Sequence, residues 1–236
     1  STTGKLVQNS GITIDDSDNL AGAGWERSVR TILEERPGTP STYDDEFDAT
    51  SMDAKWTFFA GSSSNLTFSR SRILSNGTVH CTQSIAGLTH PLRVRAGFRG
   101  NANAIAQGCN VIVQGLTKWL YFGLDVPVAN QRRAVIKRYS NAGVYEADLA
   151  TSGYAANISS GAQAPLVIVV TLIIDSTNIN MYLGPIGSEA LFGTVARSVC
   201  GTLDKLAIQI VANWSCDWFR VDRATSPYDF PLAWAG

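Results

Sequence analysis

The sequence predicts an all-β fold, a sandwich or barrel of many short strands, and three observations carry that prediction. Apolar and polar residues alternate over several segments; other segments are apolar on both faces; and Gly, Asn, Ser and Pro clusters separate them at short intervals. Alternation is clearest at 92–98, where Leu92, Val94, Ala96 and Phe98 share one face and Arg93, Arg95 and Gly97 the other. It recurs at 110–116 and 132–139. Residues 118–126 (KWLYFGLDV) and 166–174 (LVIVVTLII) are apolar on both sides, the pattern of central strands covered twice. Further strands are expected at 66–74, 78–84, 143–149, 179–184, 189–196, 204–213 and 216–223. No long repeat period appears, which disfavours a propeller or solenoid.

The first 40 residues are of another kind. Residues 5–24 carry one short apolar alternation, Ile12 and Ile14, and then Asp, Asn and Gly turn residues. Such a segment needs a neighbour to bury its apolar side. Residues 25–35 (WERSVRTILEE) predict the chain's one helix, with Val29, Ile32 and Leu33 on a face, and Pro37-Gly38 and Pro40 end it. The expected organisation is an arm or connector over 1–40 followed by a sandwich over 41–236.

Composition narrows the partners. With 44% hydrophobic residues in 236 the chain has ample core material, and its formal net charge of −1 argues against bulk attraction to nucleic acid or anionic membrane. The longest apolar run, 166–174, is too short to span a bilayer, and the polar start lacks the layout of a secretory signal. The four cysteines, 81, 109, 200 and 216, are spaced too widely for a CxxC metal site and too few for a disulfide framework, so reduced thiols are expected. Cys200 and Cys216, which flank one predicted strand, are the pair to test.

Two passages carry a resemblance. DDEFDATSMDAKWT (44–57) resembles the opening, and CDWFRVDR (216–223) the closing strand, of concanavalin A-like lectin/glucanase (laminin G-like) domains. The resemblance implies a two-sheet antiparallel jelly roll with its first and last strands close together, although Phe47, Trp56, Trp218 and Val221 also read simply as core. The arm, SGITIDDSDNLAGAG, resembles connector segments of bacteriophage tail-fibre proteins. Together they imply a virion structural protein, either a tail-fibre or adhesin subunit or a capsid fibre or decoration protein. It would be assembled in the bacterial host cytoplasm as a homotrimer with other virion proteins and would present a face to host glycan or capsid. A free secreted lectin and a degenerate glycosidase are the alternatives.

Catalytic signals are sparse. Glucanases of this resemblance carry an E-x-D-x-x-E or E-x-D-x-E strand; the nearest match is Glu146-Ala147-Asp148, with Ala150 and Thr151 where a second Glu belongs. His80 and His90 have no nucleophile signature beside them. The expectation is therefore no enzyme and no cofactor. Oxygen-rich clusters at Asp15-Asp16-Ser17-Asp18 and Asp44-Asp45-Glu46 with Asp48 suit Ca²⁺, yet they read equally as solvated turns. Arg93, Arg95 and Arg99, with Arg133 and Lys137, would form a positive row if their strands share a sheet, suited to carboxylate or phosphate. Trp119 and Tyr121, two apart on one strand face, form either a sugar-stacking platform or core.

Overall fold

Almost every described residue lies in a strand or in the turns joining strands. A computed structural model describes residues 13–14, 20–21, 41–69, 72–100, 106–128, 131–152, 167–185, 189–225 and 227. The chain divides into two units, Ser1–Gly38 and Thr39–Gly236. In the first, β1 (Thr13–Ile14) pairs antiparallel with β2 (Leu20–Ala21), Ile14 opposite Leu20. The predicted helix at 25–35 and the acidic run at 15–18 lie outside the described residues.

The second unit is a sandwich of two seven-stranded antiparallel sheets. The first sheet runs in the order β11 (Tyr145–Thr151), β10 (Gln131–Ser140), β9 (Lys118–Val128), β8 (Ala106–Gly115), β15 (Leu203–Ile210), β6 (Val79–Ser84) and β3 (Thr57–Ala60). The second runs β14 (Ala190–Ala196), β13 (Asn178–Pro185), β12 (Ile168–Ile174), β7 (Leu92–Gly100), β16 (Trp214–Asp222), β5 (Ile73–Ser75) and β4 (Leu66–Phe68). The core is where the period-two pattern puts it: Leu92, Val94, Ala96 and Phe98 of β7 meet Leu120, Phe122 and Leu124 of β9 in one buried cluster.

Two segments depart from the sequence reading. The strand expected over 66–74 is a hairpin, β4 and β5, closed by Ser69 N–H donating to the Arg72 carbonyl at 3.1 Å. β3 was not foreseen, because adjacent Phe58 and Phe59 show no alternation. A bulge between Phe58 and Ala60 explains them: Phe58 packs against the core and Phe59 stays exposed.

The chain closes where the resemblance places its ends together. Asp45 bridges Phe219 by two backbone hydrogen bonds of 2.8 Å. Asp44 accepts from the Val221 and Ser41 N–H groups at 2.7 and 2.6 Å, and Asp45 accepts from Trp56 Nε1 at 2.8 Å. Trp56 meets the buried Phe219 ring edge-on at 5.2 Å. All four cysteines are buried free thiols, so the Cys200–Cys216 pair does not form. Cys216 lies on the inner face of β16 near Cys109, and burial pushes the Cys81 and Cys200 thiols up to about 12.

Because Phe219 is wholly buried between the core and the opening segment, Phe219→Ala is expected to cost about 3–5 kcal/mol. Urea unfolding followed by tryptophan fluorescence measures it; a loss below about 1 kcal/mol would show that this closure contributes little to stability.

Candidate functional site

On the outer face of the first sheet a second apolar cluster forms, apart from the main core: Ile112, Trp119, Tyr121, Tyr139 and Ala207. Its rings belong to a band that runs from one edge strand to the other. Tyr145 of β11 meets Tyr139 of β10 at 5.6 Å; Tyr139 stacks on Tyr121 of β9 at 4.0 Å; Tyr121 meets His80 of β6 at 5.9 Å. His80 meets Phe59 of β3 at 5.0 Å, and Phe59 meets Trp119 of β9 edge-on at 4.8 Å.

These contacts require curvature. β9 and β3 are four strand spacings apart, about 19 Å on a flat sheet, further than Phe59 and Trp119 reach even when inclined toward each other. The sheet therefore curls toward this face, over the small side chain of Ala207 on the intervening β15. The turn joining β10 to β11 curls in as well. A Cβ on Gly143, whose φ is +78°, would lie 3.1 Å from Trp119 Cζ3 and 3.3 Å from Phe59 Cε1. Trp119 is consequently only 7% exposed, while the two ends of the band, Phe59 at 53% and Tyr145 at 52%, face solvent.

Polar groups are set among the rings. The Gln114 amide lies 3.1 Å from His80 Nε2, and Tyr121 Oη lies 3.5 Å from His80 Nδ1. Burial among these uncharged groups pushes the His80 imidazole down to about 4, so it is neutral near pH 7. Asn110 donates to Gln209 at 2.9 Å. Toward β11 the face becomes ionic: Arg133 holds Asp125 through two bonds of 2.8 and 3.1 Å and reaches Asp148 at 3.3 Å, and Lys137 lies 2.9 Å from Asp125. Tyr145 Oη donates to Asp148 at 3.0 Å, a bond that pushes the phenol's pKa up.

The sequence-predicted site residues are thus divided. Trp119, Tyr121, Arg133 and Lys137 share the curled face. Arg93, Arg95 and Arg99 lie on β7, in the other sheet, so the single positive row does not exist. Arg93 pairs with Asp222 at 2.8 Å and Arg99 with Asp217 at 2.6 Å. Trp119 and Tyr121 form the buried middle of the band, so the surface for a flat ligand is supplied by Phe59 and Tyr145 instead. Neither residue stands out in the sequence, since a bulge and a one-residue register shift, not a sequence pattern, aim them.

Other carboxylates are also accounted for. Register shifts in the β10–β11 pairing turn Glu146 toward Lys118 and Arg138, and Asp148 toward Arg133 and Tyr145. The two members of the Glu146-Ala147-Asp148 run therefore face opposite sides of the sheet. Glu46 holds Arg220, while Asp44 and Asp45 serve backbone and Trp56 groups. Among the described residues no group of three or more His, Cys, Asp or Glu side chains is arranged to hold a metal, and no helix is long and apolar enough to cross a membrane.

No family model and no curated protein matches the chain. Its fold is similar to solved structures at 10–14% identity. One is the family 43 glycoside hydrolase BlXynB of Bacillus licheniformis, with 12% identity and TM-score 0.58, covering 78% of this chain and 39% of that one. Another is a family 16 glycoside hydrolase of Mycobacterium smegmatis, with 14% identity and TM-score 0.51, covering 76% and 99%. A third is the CBM2 module of the evolved Dit of Lactobacillus casei BL23 phage J-1, with 10% identity and TM-score 0.51, covering 79% and 96%. The chain spans about two fifths of the length of the family 43 structures. These neighbours agree with the jelly-roll sandwich. They also correct the expectation of no catalysis: glycoside hydrolases stand among them, so an incomplete E-x-D-x-x-E run does not exclude an enzyme.

His80 gives a pH prediction. Its folded pKa lies below its unfolded value, so its contribution to stability is full above about 6.5 and is lost as pH falls toward about 4. His80→Gln should flatten the stability-versus-pH curve across that window by up to about 3 kcal/mol. Urea unfolding at stepped pH measures this, and parallel curves for the two proteins would show that His80 is not held neutral.

Proposed function

We propose that the chain is a carbohydrate-binding sandwich of a bacteriophage virion, in a tail fibre or adhesin or in a capsid fibre or decoration. It docks a host-surface glycan across the curled face of the first sheet. The observation that carries this is the aromatic band itself. Its packed centre holds Phe59 and Tyr145 rigidly at the surface, and the Asp125–Arg133–Asp148 network stands beside Tyr145. Rigid exposed rings supply stacking area for the apolar faces of sugars, and fixed charged groups supply directional hydrogen bonds. The phage Dit module that shares the fold over 79% of this chain supports the virion setting. Residues 1–40 serve as the assembly arm, joining sister chains in a homotrimer and contacting other virion proteins.

Phe59→Ala and Tyr145→Ala are each expected to weaken binding of a glycan selected on an array about three- to tenfold, the worth of one aromatic contact. Unchanged affinity in both variants would reject the curled face as the binding surface. Light scattering of the full chain and of a chain beginning at Ser41 tests the arm: a trimer that becomes a monomer supports it, and two monomers overturn it.

A second reading, glycoside hydrolysis, is favoured by the two carboxylates, Asp125 and Asp148, that Arg133 gathers on the curled face. Release of reducing ends from the bound glycan, abolished by Asp125→Asn or Asp148→Asn, would establish it; no release by the wild-type chain would reject it.

A further inference from the structure

The outer face of the second sheet is built from ions instead of rings. Three guanidinium groups lie close on it. Arg93 and Arg95 alternate along β7, and Arg220 of β16 is the cross-strand partner of Arg95. Two of the three are matched in the same way. Arg93 uses its Nε and Nη2 edge on the two oxygens of Asp222, at 2.8 and 3.1 Å. Arg220 uses its Nε and Nη2 edge on the two oxygens of Glu46, again at 2.8 and 3.1 Å. Arg95, between them, has a buried Nε with no hydrogen-bond acceptor.

Two further polar groups beside Arg95 are in the same condition. Thr171 is the cross-strand partner of Arg95 on β12; it is fully buried, and its Oγ1 bonds to nothing. Trp218 is the partner of Gly97, the next outward position on β7, and its buried Nε1 has no acceptor. The indole lies directly over that glycine, since a Cβ there would be 2.7 Å from Nε1. Three adjacent positions of the sheet thus present a guanidinium edge, a hydroxyl and an indole N–H, all lacking an acceptor. Leaving such donors buried and unpaired is costly.

The Arg93–Asp222 and Arg220–Glu46 pairs each balance themselves. Asp222 and Glu189 attract Arg95 only at longer range, while burial and the neighbouring Arg93 press its pKa down to about 10. The buried Glu189 carboxylate thus attracts Arg95 without hydrogen-bonding its Nε, which keeps no acceptor. Because both neighbouring guanidinium groups close their Nε–Nη2 edge on a carboxylate, the same edge of Arg95 calls for the same planar two-oxygen group. We propose that Arg95, Thr171 and Trp218 form a binding site for the carboxylate of an external ligand, one oxygen received by the Arg95 edge and the other shared with the Thr171 hydroxyl and Trp218 N–H. Arg95 is the partly exposed member of the three, above the buried Thr171 and Trp218, and the proposed ligand would enter past its side chain. The site is on the second sheet and does not depend on glycan binding by the first.

Thermal unfolding of the full chain at pH 7 and fixed ionic strength tests it, with sodium acetate, sodium glucuronate, sodium chloride and neutral glucose as probes. Acetate and glucuronate are expected to raise Tm progressively with concentration, relative to chloride and glucose. Glucuronate acting at about tenfold lower concentration than acetate identifies an acidic sugar as the source of the carboxylate; equal potency identifies the carboxylate alone as the recognised group. Arg95→Met abolishes the effect. Thr171→Val and Trp218→Phe, which remove one donor and keep the shape, each weaken it about fivefold and remain informative if Arg95→Met does not fold. No stabilisation beyond that of chloride, or an undiminished response in Thr171→Val and Trp218→Phe together, overturns the proposal.

Discussion

Rings borne on strands three and four apart in the first sheet touch one another, and much of the molecule follows from what that demands. Strands keep a nearly fixed spacing, so contact between distant side chains forces the sheet to curl. Curling crowds one face and relieves the other. The middle of the crowded face is filled by Ile112 and the small Ala207, where His80, Trp119 and Tyr121 meet. Crowding also removes water from groups that sequence alone would leave exposed. A histidine buried with rings and a neutral amide for neighbours stays uncharged, because burial disfavours the cation. Rigidity is the other consequence: a ring fixed by rings on either side loses little freedom on meeting a ligand.

The second sheet solves the same problem of a covered outer face by pairing charges. Val169, Thr171 and Ile173 of β12 are buried there alongside Arg93, Trp218, Arg220 and Asp222. A guanidinium group can be buried when its fork meets a carboxylate squarely, because two parallel hydrogen bonds offset part of the desolvation cost. That solution demands a match for every edge. In a face made of rings a small misfit costs some packing; in a face made of ions a missing acceptor costs far more. Hence an unmatched edge on this sheet carries more information than an exposed ring on the other.

Periodicity made the sandwich legible. Each alternating segment named in the sequence buries its expected face, because a period of two leaves no other way to place Leu92, Val94, Ala96 and Phe98 together. What periodicity cannot supply is which strand lies beside which. Arg133 and Arg95 both alternate outward, and only the sheet order shows that they face opposite sides of the molecule. Bulges are illegible for a related reason. One extra residue reverses the facing of everything beyond it, so Phe59 reads as ambiguous and Glu146 and Asp148 read as neighbours on a face they do not share. The candidate site was accordingly half visible: the strand carrying Trp119 and Tyr121 was found, while Tyr139, Tyr145, His80 and Phe59 come to it from four other strands.

The closing strand ties these features to the start of the domain. β16 is flanked by β7 along its length, but by β5 only at Ser215 and Cys216. Its remaining edge is taken by the opening segment, through the Asp45–Phe219 bridge and the Asp44 carboxylate on Val221 N–H. The same segment delivers Glu46 to Arg220, the residue opposite Arg95. Charge on the second sheet's outer face is therefore set by where the domain begins. Were the opening segment to slip, Arg220 would lose its carboxylate beside a guanidinium whose Nε already has no acceptor, and the two adjacent cations would repel. Seating that segment correctly is thus a condition both for closing the sandwich and for holding a single unmatched guanidinium edge, and not two, at this position.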